Sequence, residues 1–213
     1  MMPERVLNIE EDGWCEGVER HYSEHFNERP EDAEISLVIL HNITLPPGEF
    51  ATGAVEELFL GTLDTTKDAR LSDLKGLRVS SHFFITRKGQ IKQFVSCQNR
   101  AWHAGVSSFM GHDNCNDFSI GIELEGTDDV PFEDAQYVSL VKLLSAIAKR
   151  YPIRFVAAHS DVAPGRKTDP GVHFDWVRLE REKEQFGAPD FPGAAAALAR
   201  SLRDAKISGT RLA

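Results

Sequence analysis

The run Ile35-Ser36-Leu37-Val38-Ile39-Leu40 is almost wholly apolar. It is closed by His41-Asn42 and the loop signal Pro46-Pro47-Gly48, which predicts a buried strand. Ser81 to Phe84 and Ile91 to Val95 flank Arg87-Lys88-Gly89-Gln90, the pattern of a β-hairpin with glycine in its turn. Ser119 to Gly126 alternates strictly: Ile120, Ile122 and Leu124 on one face, Gly121, Glu123 and Glu125 on the other. From Asp134 to Tyr151 the period changes. Tyr137, Val141, Leu144, Ala148 and Tyr151 recur at helical spacing, and Pro152 closes the segment. Ala54 to Leu60 predicts a short helix, and Arg154 to Ala158 a last strand running into His159. Strands interleaved with helices predict an α/β layer on a mixed sheet.

Three regions differ in texture. Residues 1–34 are acidic and polar and read as a segment packed on or flanking the domain. Residues 35–180 hold the patterned elements, and residues 181–213 form an extension, partly helical, through an Ala-rich stretch. A chain of 213 residues accommodates one large domain with a tail. Its net charge of -9 and the lack of a basic cluster argue against nucleic acid or an anionic membrane surface as partner. No apolar run approaches the ~20 residues of a membrane span. The first residues have neither the basic start nor the apolar core of a secretory signal, so a cytoplasmic location is expected. Cys15, Cys97 and Cys115 are widely spaced, without a Cys-x-x-Cys pair, and are expected to be small buried hydrophobes.

Candidate chemistry gathers where strands run out. His41 and His159 each end a predicted strand, and Asp169 follows in the loop Ser160 to Gly171. Two imidazoles and a carboxylate on a tetrahedral zinc leave one position for water, the composition of a catalytic centre. Taken singly, a strand-end histidine is more often a surface or satisfied core residue. Glu123 is a candidate for proton transfer, but Glu125 shares its face and alternation does not choose between them. Lys167 could stabilise negative charge developing on an intermediate. Arg166 and Arg78 could grip a carboxylate, and Trp102 could offer a flat apolar platform to a ligand. His21 and His25 have the spacing of two ligands on one helical turn, without the glutamate that normally accompanies it. His82, His103, His112 and His173 read as packing or surface residues. Nucleophile-elbow, Walker and dinucleotide motifs are missing.

Assembled in order, the motifs point further. They are Val38 to Gly48 with His41-Asn42, Arg78 to His82, Arg100-Ala101-Trp102-His103-Ala104-Gly105, Cys115 to Thr127, and His159 to Gly171. Together they resemble the AmpD type of N-acetylmuramoyl-L-alanine amidases, relatives of the T7-lysozyme-like amidases and the peptidoglycan recognition proteins. The resemblance covers about residues 35–180. It implies a single α/β domain, a central mixed β-sheet with flanking helices, and a substrate groove over a zinc site. It implies His41, His159 and Asp169 as ligands of one zinc ion per chain, Glu123 as the catalytic carboxylate and Lys167 as the oxyanion stabiliser. Asn42, Arg78, Trp102 and Arg166 would contact substrate. The implied reaction cuts the amide between the lactyl group of 1,6-anhydro-N-acetylmuramic acid and L-alanine of the stem peptide, during cytoplasmic recycling. The implied partner is a small soluble muropeptide, and a monomer is favoured. Alternatives are an amidase acting on intact cell wall and a muropeptide binder that does not cut.

Overall fold

The computed structural model describes residues 6–193. Among them, the largest sheet has six strands in the order Phe155–Ala158, Leu37–Ile43, Ser119–Glu125, Phe83–Ile85, Ile91–Gln93 and Glu19–Arg20. The first four run parallel, and the hairpin partners Phe83–Ile85 and Ile91–Gln93 are antiparallel. The sheet is mixed, as the sequence pattern predicts. The hairpin turn closes through Thr86 N–H to the Gln90 carbonyl, with Gly89 at a φ of 78°. The Leu37–Ile43 strand runs past the expected end, carrying His41 and Asn42 within the ladder rather than after it.

The alternation along Ser119–Glu125 is used on both faces, and the whole strand is buried. Ile120, Ile122 and Leu124 join Val38, Leu40 and Val156 against the 17-residue helix Asp134–Arg150, which supplies Leu140, Leu143, Leu144 and Ile147. At the start of that helix the Gln136 side-chain oxygen accepts the Glu133 N–H at 3.0 Å. The opposite face is divided along the strand direction. Toward the strand starts it is apolar, with Leu37, Ile39 and Ala157 packed beneath Ala104, Cys115 and Val162. Toward the strand ends it carries His41, Glu123 and Glu125 (all buried), with His159 just beyond. Parallel strands end together, so their carboxyl ends form a natural crevice for a ligand.

Residues 6–34 are part of this architecture rather than an appendage. Asn8–Ile9 pairs with Cys15–Glu16, Glu19–Arg20 forms the sheet edge, and Phe26–Glu28 pairs with Asn99–Ala101. His21 and His25 therefore lie in extended chain, not on a helical turn. His21 stacks on Phe94 and His25 meets the Val79 carbonyl. Arg29 anchors the segment by donating to the carbonyls of Cys97, Asn116, Asp117 and Ser119. Burial pushes its guanidinium down to about 10, still charged at neutral pH. Replacing Arg29 with methionine strands four carbonyls and is expected to cost more than about 3 kcal/mol, since each buried unsatisfied group costs roughly 1–3 kcal/mol. Urea unfolding measures it, and a change within about 0.5 kcal/mol would show that water replaces the guanidinium.

All three cysteines are buried and free, and burial pushes the Cys15 thiol up to about 11 and the Cys97 thiol higher still. They behave as the expected hydrophobes. Near the other end, Trp176–Glu182 forms a helix and Lys183–Phe186 a short 3-10 turn. The Ala-rich stretch expected to be helical lies outside the described residues.

Candidate active site

Register brings the site residues together. In the parallel ladder His41 is paired directly with Glu123, so both side chains leave the same face. On the other side Ala158 pairs with Leu40, which places His159 beside His41 at the next step. The strand stops at Ala158, so His159 does not end it as expected. It opens a four-residue helical turn, His159–Val162, in which the Asp161 carboxylate accepts the Ala158 N–H at 2.8 Å. The following segment folds back, with Ser160 N–H donating to the Asp169 carbonyl at 3.1 Å, and this returns the Asp169 side chain to the two histidines.

Three atoms then converge. His41 Nδ1 lies 2.9 Å from His159 Nδ1 and 3.2 Å from Asp169 Oδ2, and His159 Nδ1 lies 3.0 Å from that same oxygen. Ligands held tetrahedrally on a zinc-sized ion stand roughly 3.3–3.5 Å apart, so a slight opening of this triangle admits one. The outer nitrogens are already engaged: His159 Nε2 donates to the Ala104 carbonyl at 3.0 Å, and His41 Nε2 lies 3.0 Å from His103 Nδ1. Burial pushes the His41 imidazole down to about 4, against the pull of Asp169, leaving it neutral at neutral pH as a metal ligand must be. Two imidazoles and a carboxylate facing one point suit a divalent cation, and the set fits the metal that the motifs imply.

Glu123 and Glu125, inseparable by alternation, have opposite fates. Glu125 is spent on backbone: one oxygen accepts the Ala51 N–H and the other the Arg87 N–H at 2.8 Å. Glu123 Oε1 stands 3.9 Å from His41 Nδ1, while its Oε2 is buried with no hydrogen-bond partner among the described residues. Burial, and then the charge of Asp169, pushes the Glu123 carboxyl well above the ordinary range, with Lys167 opposing. A buried carboxyl with a free oxygen, beside a cation site, is equipped to take up and release a proton.

The centre lies in a groove of about 900 Å³ whose walls include Asn42, Trp102, Asp128, Arg166 and Lys167. Asn42 donates its side-chain amide to Asp128 at 2.7 Å, an orienting contact invisible in the sequence pattern. Trp102 is fixed by its Nε1–H on Asn27 at 2.7 Å and stacks on His25. Arg78 does not line this groove. It lines a small neighbouring cavity and stands 5.6 Å above the Trp102 ring. Arg166 Nη2 donates to the carbonyls of Ala104 and Val106, both at 2.6 Å. His103, read from the sequence as a packing or surface residue, touches the site directly through His41. Its position next to Trp102 within one motif was the available signal.

Comparison with known proteins places the chain in a family. The profile of the N-acetylmuramoyl-L-alanine amidase family matches residues 31–172. The 1,6-anhydro-N-acetylmuramyl-L-alanine amidase AmpD of Citrobacter freundii is 48% identical over 171 residues, 79% of this chain and 91% of that protein. The crystal structure of a selenomethionine derivative of AmpD superposes with a TM-score of 0.78 at 47% identity, covering 80% of this chain and 97% of that one. The amidase AmiD from E. coli, solved with anhydro-N-acetylmuramic acid-L-Ala-D-gamma-Glu-L-Lys, has a TM-score of 0.51 at 30% identity, covering 84% of this chain and 66% of its own. Fold, groove and sequence thus lead to one assignment: the chain belongs to the N-acetylmuramoyl-L-alanine amidase family.

Proposed function

We propose that this protein hydrolyses the amide joining the lactyl group of 1,6-anhydro-N-acetylmuramic acid to L-alanine of the stem peptide, acting on small soluble muropeptides in peptidoglycan recycling, with zinc at its centre. The observation that carries the reading is the convergence of His41, His159 and Asp169 beside the unpartnered Glu123 oxygen, in a chain 48% identical to AmpD. The substrate held by the related AmiD has that same lactyl–alanine amide.

His41, His159 and Asp169 would hold a divalent cation, which when bound would supply a Lewis acid for an amide carbonyl and for water. Glu123 accepts the proton of the attacking water and delivers it to the departing alanine nitrogen. The Lys167 ammonium offsets charge on the carbonyl oxygen as the tetrahedral carbon forms. Asn42, Trp102 and Arg166, which line the groove, are the groups proposed to hold sugar and peptide, the tryptophan by its ring face and the others by polar contacts. Arg78, expected from the motifs to touch substrate, stands outside the groove above the Trp102 ring. The acidic composition suits a small soluble substrate better than an anionic surface, and no described helix is long and apolar enough to cross a membrane. A cytoplasmic site of action follows from the recycling role.

The deciding assay follows release of stem peptide from purified 1,6-anhydro-N-acetylmuramyl tripeptide, with chelator, and with chelator followed by zinc. Cleavage at the lactyl–alanine bond, abolished by chelation and restored by zinc, is expected. Metal-loaded protein that leaves this compound intact but solubilises insoluble cell wall would overturn the recycling assignment. Failure on both would leave a binder.

A further inference from the structure

Both histidines of the metal centre are held from behind by consecutive residues of one short segment. His103 presents Nδ1 to His41 Nε2 at 3.0 Å, its ring edge-on to that of His41 at 87°. Ala104 presents its carbonyl to His159 Nε2, also at 3.0 Å. The segment is itself fixed. The side-chain oxygen of buried Asn116 accepts the N–H groups of His103 and Ala104 at 3.3 and 2.9 Å. Arg166 grips the Ala104 carbonyl from the groove side. His103 Nε2 reaches Ser119 Oγ at 3.4 Å, and its ring lies over Gly121, where a Cβ would come within 2.5 Å of the imidazole. Glycine at 121 thus gives the ring its seat on the central strand.

An imidazole has one proton to place when neutral, so the partner of one nitrogen decides what the other offers. A carbonyl at His159 Nε2 leaves the Nδ1 lone pair free to face the centre. At His41 the corresponding acceptor is His103 Nδ1, whose own proton then sits on Nε2 toward Ser119. We infer that His103 is a positioning residue for the metal centre: it sets the tautomer and ring angle of His41, as the adjacent Ala104 carbonyl does for His159, so that metal affinity depends on a side chain that is not itself one of the three ligands. The inference rests on the metal reading above.

The test measures zinc affinity of the full chain by competition with a chromophoric chelator, alongside the visible spectrum of the cobalt-substituted protein. His103→Leu, which removes the acceptor, is expected to weaken zinc binding about 10- to 100-fold and alter the cobalt spectrum. His103→Asn, which retains an acceptor close to the backbone, is expected to restore most of the affinity. Thermal unfolding of the two metal-free variants controls for packing. Wild-type affinity in His103→Leu, or equal losses in both variants at equal metal-free stability, would overturn the inference. If His103→Leu does not fold, nitrogen-15 spectra of the cadmium-loaded wild-type chain decide. Cadmium coupling to His41 Nδ1 with a slowly exchanging Nε2 proton coupled to His103 supports it, and a rapidly exchanging Nε2 proton overturns it. Wild-type protein that binds no zinc would instead overturn the metal reading beneath it.

Discussion

Replacing Glu123 by alanine is expected to lower kcat on the anhydro-muropeptide by a factor of about 10²–10⁴, the usual contribution of a positioned acid–base group, while the bound metal is retained. The separation follows from geometry. Glu123 Oε1 stands 3.9 Å from His41 Nδ1, too far to belong to the tighter triangle of His41, His159 and Asp169. The neighbouring Glu125 is in no position to take over, because both its oxygens are committed to the backbone N–H groups of Ala51 and Arg87. Stability is expected to be no lower in the variant. A carboxyl whose buried oxygen lacks a partner disfavours the folded state, and such cost is commonly tolerated for function. Metal analysis, kcat and thermal unfolding on one preparation check all three parts. Full turnover in Glu123→Ala would remove Glu123 from the proton-transfer role, and loss of metal would make it a ligand instead.

The second large effect is expected from His41→Ala, which should remove metal and activity together. His41 is 1% exposed and contributes one of three converging donors, so its loss leaves an incomplete set in a pocket that alanine does not fill. A Lewis acid is worth several kcal/mol to an amide hydrolase, and each 1.36 kcal/mol is tenfold in rate, so activity should fall by about a thousandfold or more. Added zinc should not restore it. The proposed mechanism puts His41 and Glu123 in the same step, so combining His41→Ala with Glu123→Ala should cost little beyond His41→Ala alone. An additive double variant would mean that the two residues act independently. Stoichiometric zinc in His41→Ala would place the metal elsewhere.

These expectations separate what is local in the chain from what is not. Period two along Ser119–Glu125 and period 3.6 along Asp134–Arg150 are properties of consecutive residues, and both elements stand where the pattern puts them. His41 and His159 were legible as candidates because each follows an apolar strand-like run. Their partnership required more: strands from residues 37, 119 and 155 lying side by side, parallel, and in a register that pairs His41 with Glu123 and Leu40 with Ala158. Hydrophobic alternation states which face a residue takes, not which strand lies next to it, and here only the resemblance to a family joined the residues beforehand.

The same limit explains the choice between Glu123 and Glu125. Both share a strand face, and what distinguishes them is whether Ala51 and Arg87, dozens of residues away, aim N–H groups at the carboxylate. Arg29 was illegible for the same reason, since four carbonyls from the 97–119 region give it its place, and the motif around Trp102 flagged His103 without showing its contact with the imidazole at residue 41. The main strands and the long helix, with their apolar faces, follow from the pattern of the chain itself, because they depend on side-chain polarity at fixed local spacing. The surroundings of each polar group were decided by tertiary structure, which sets which buried donors and acceptors are satisfied and leaves the Glu123 Oε2 without a partner among the described residues.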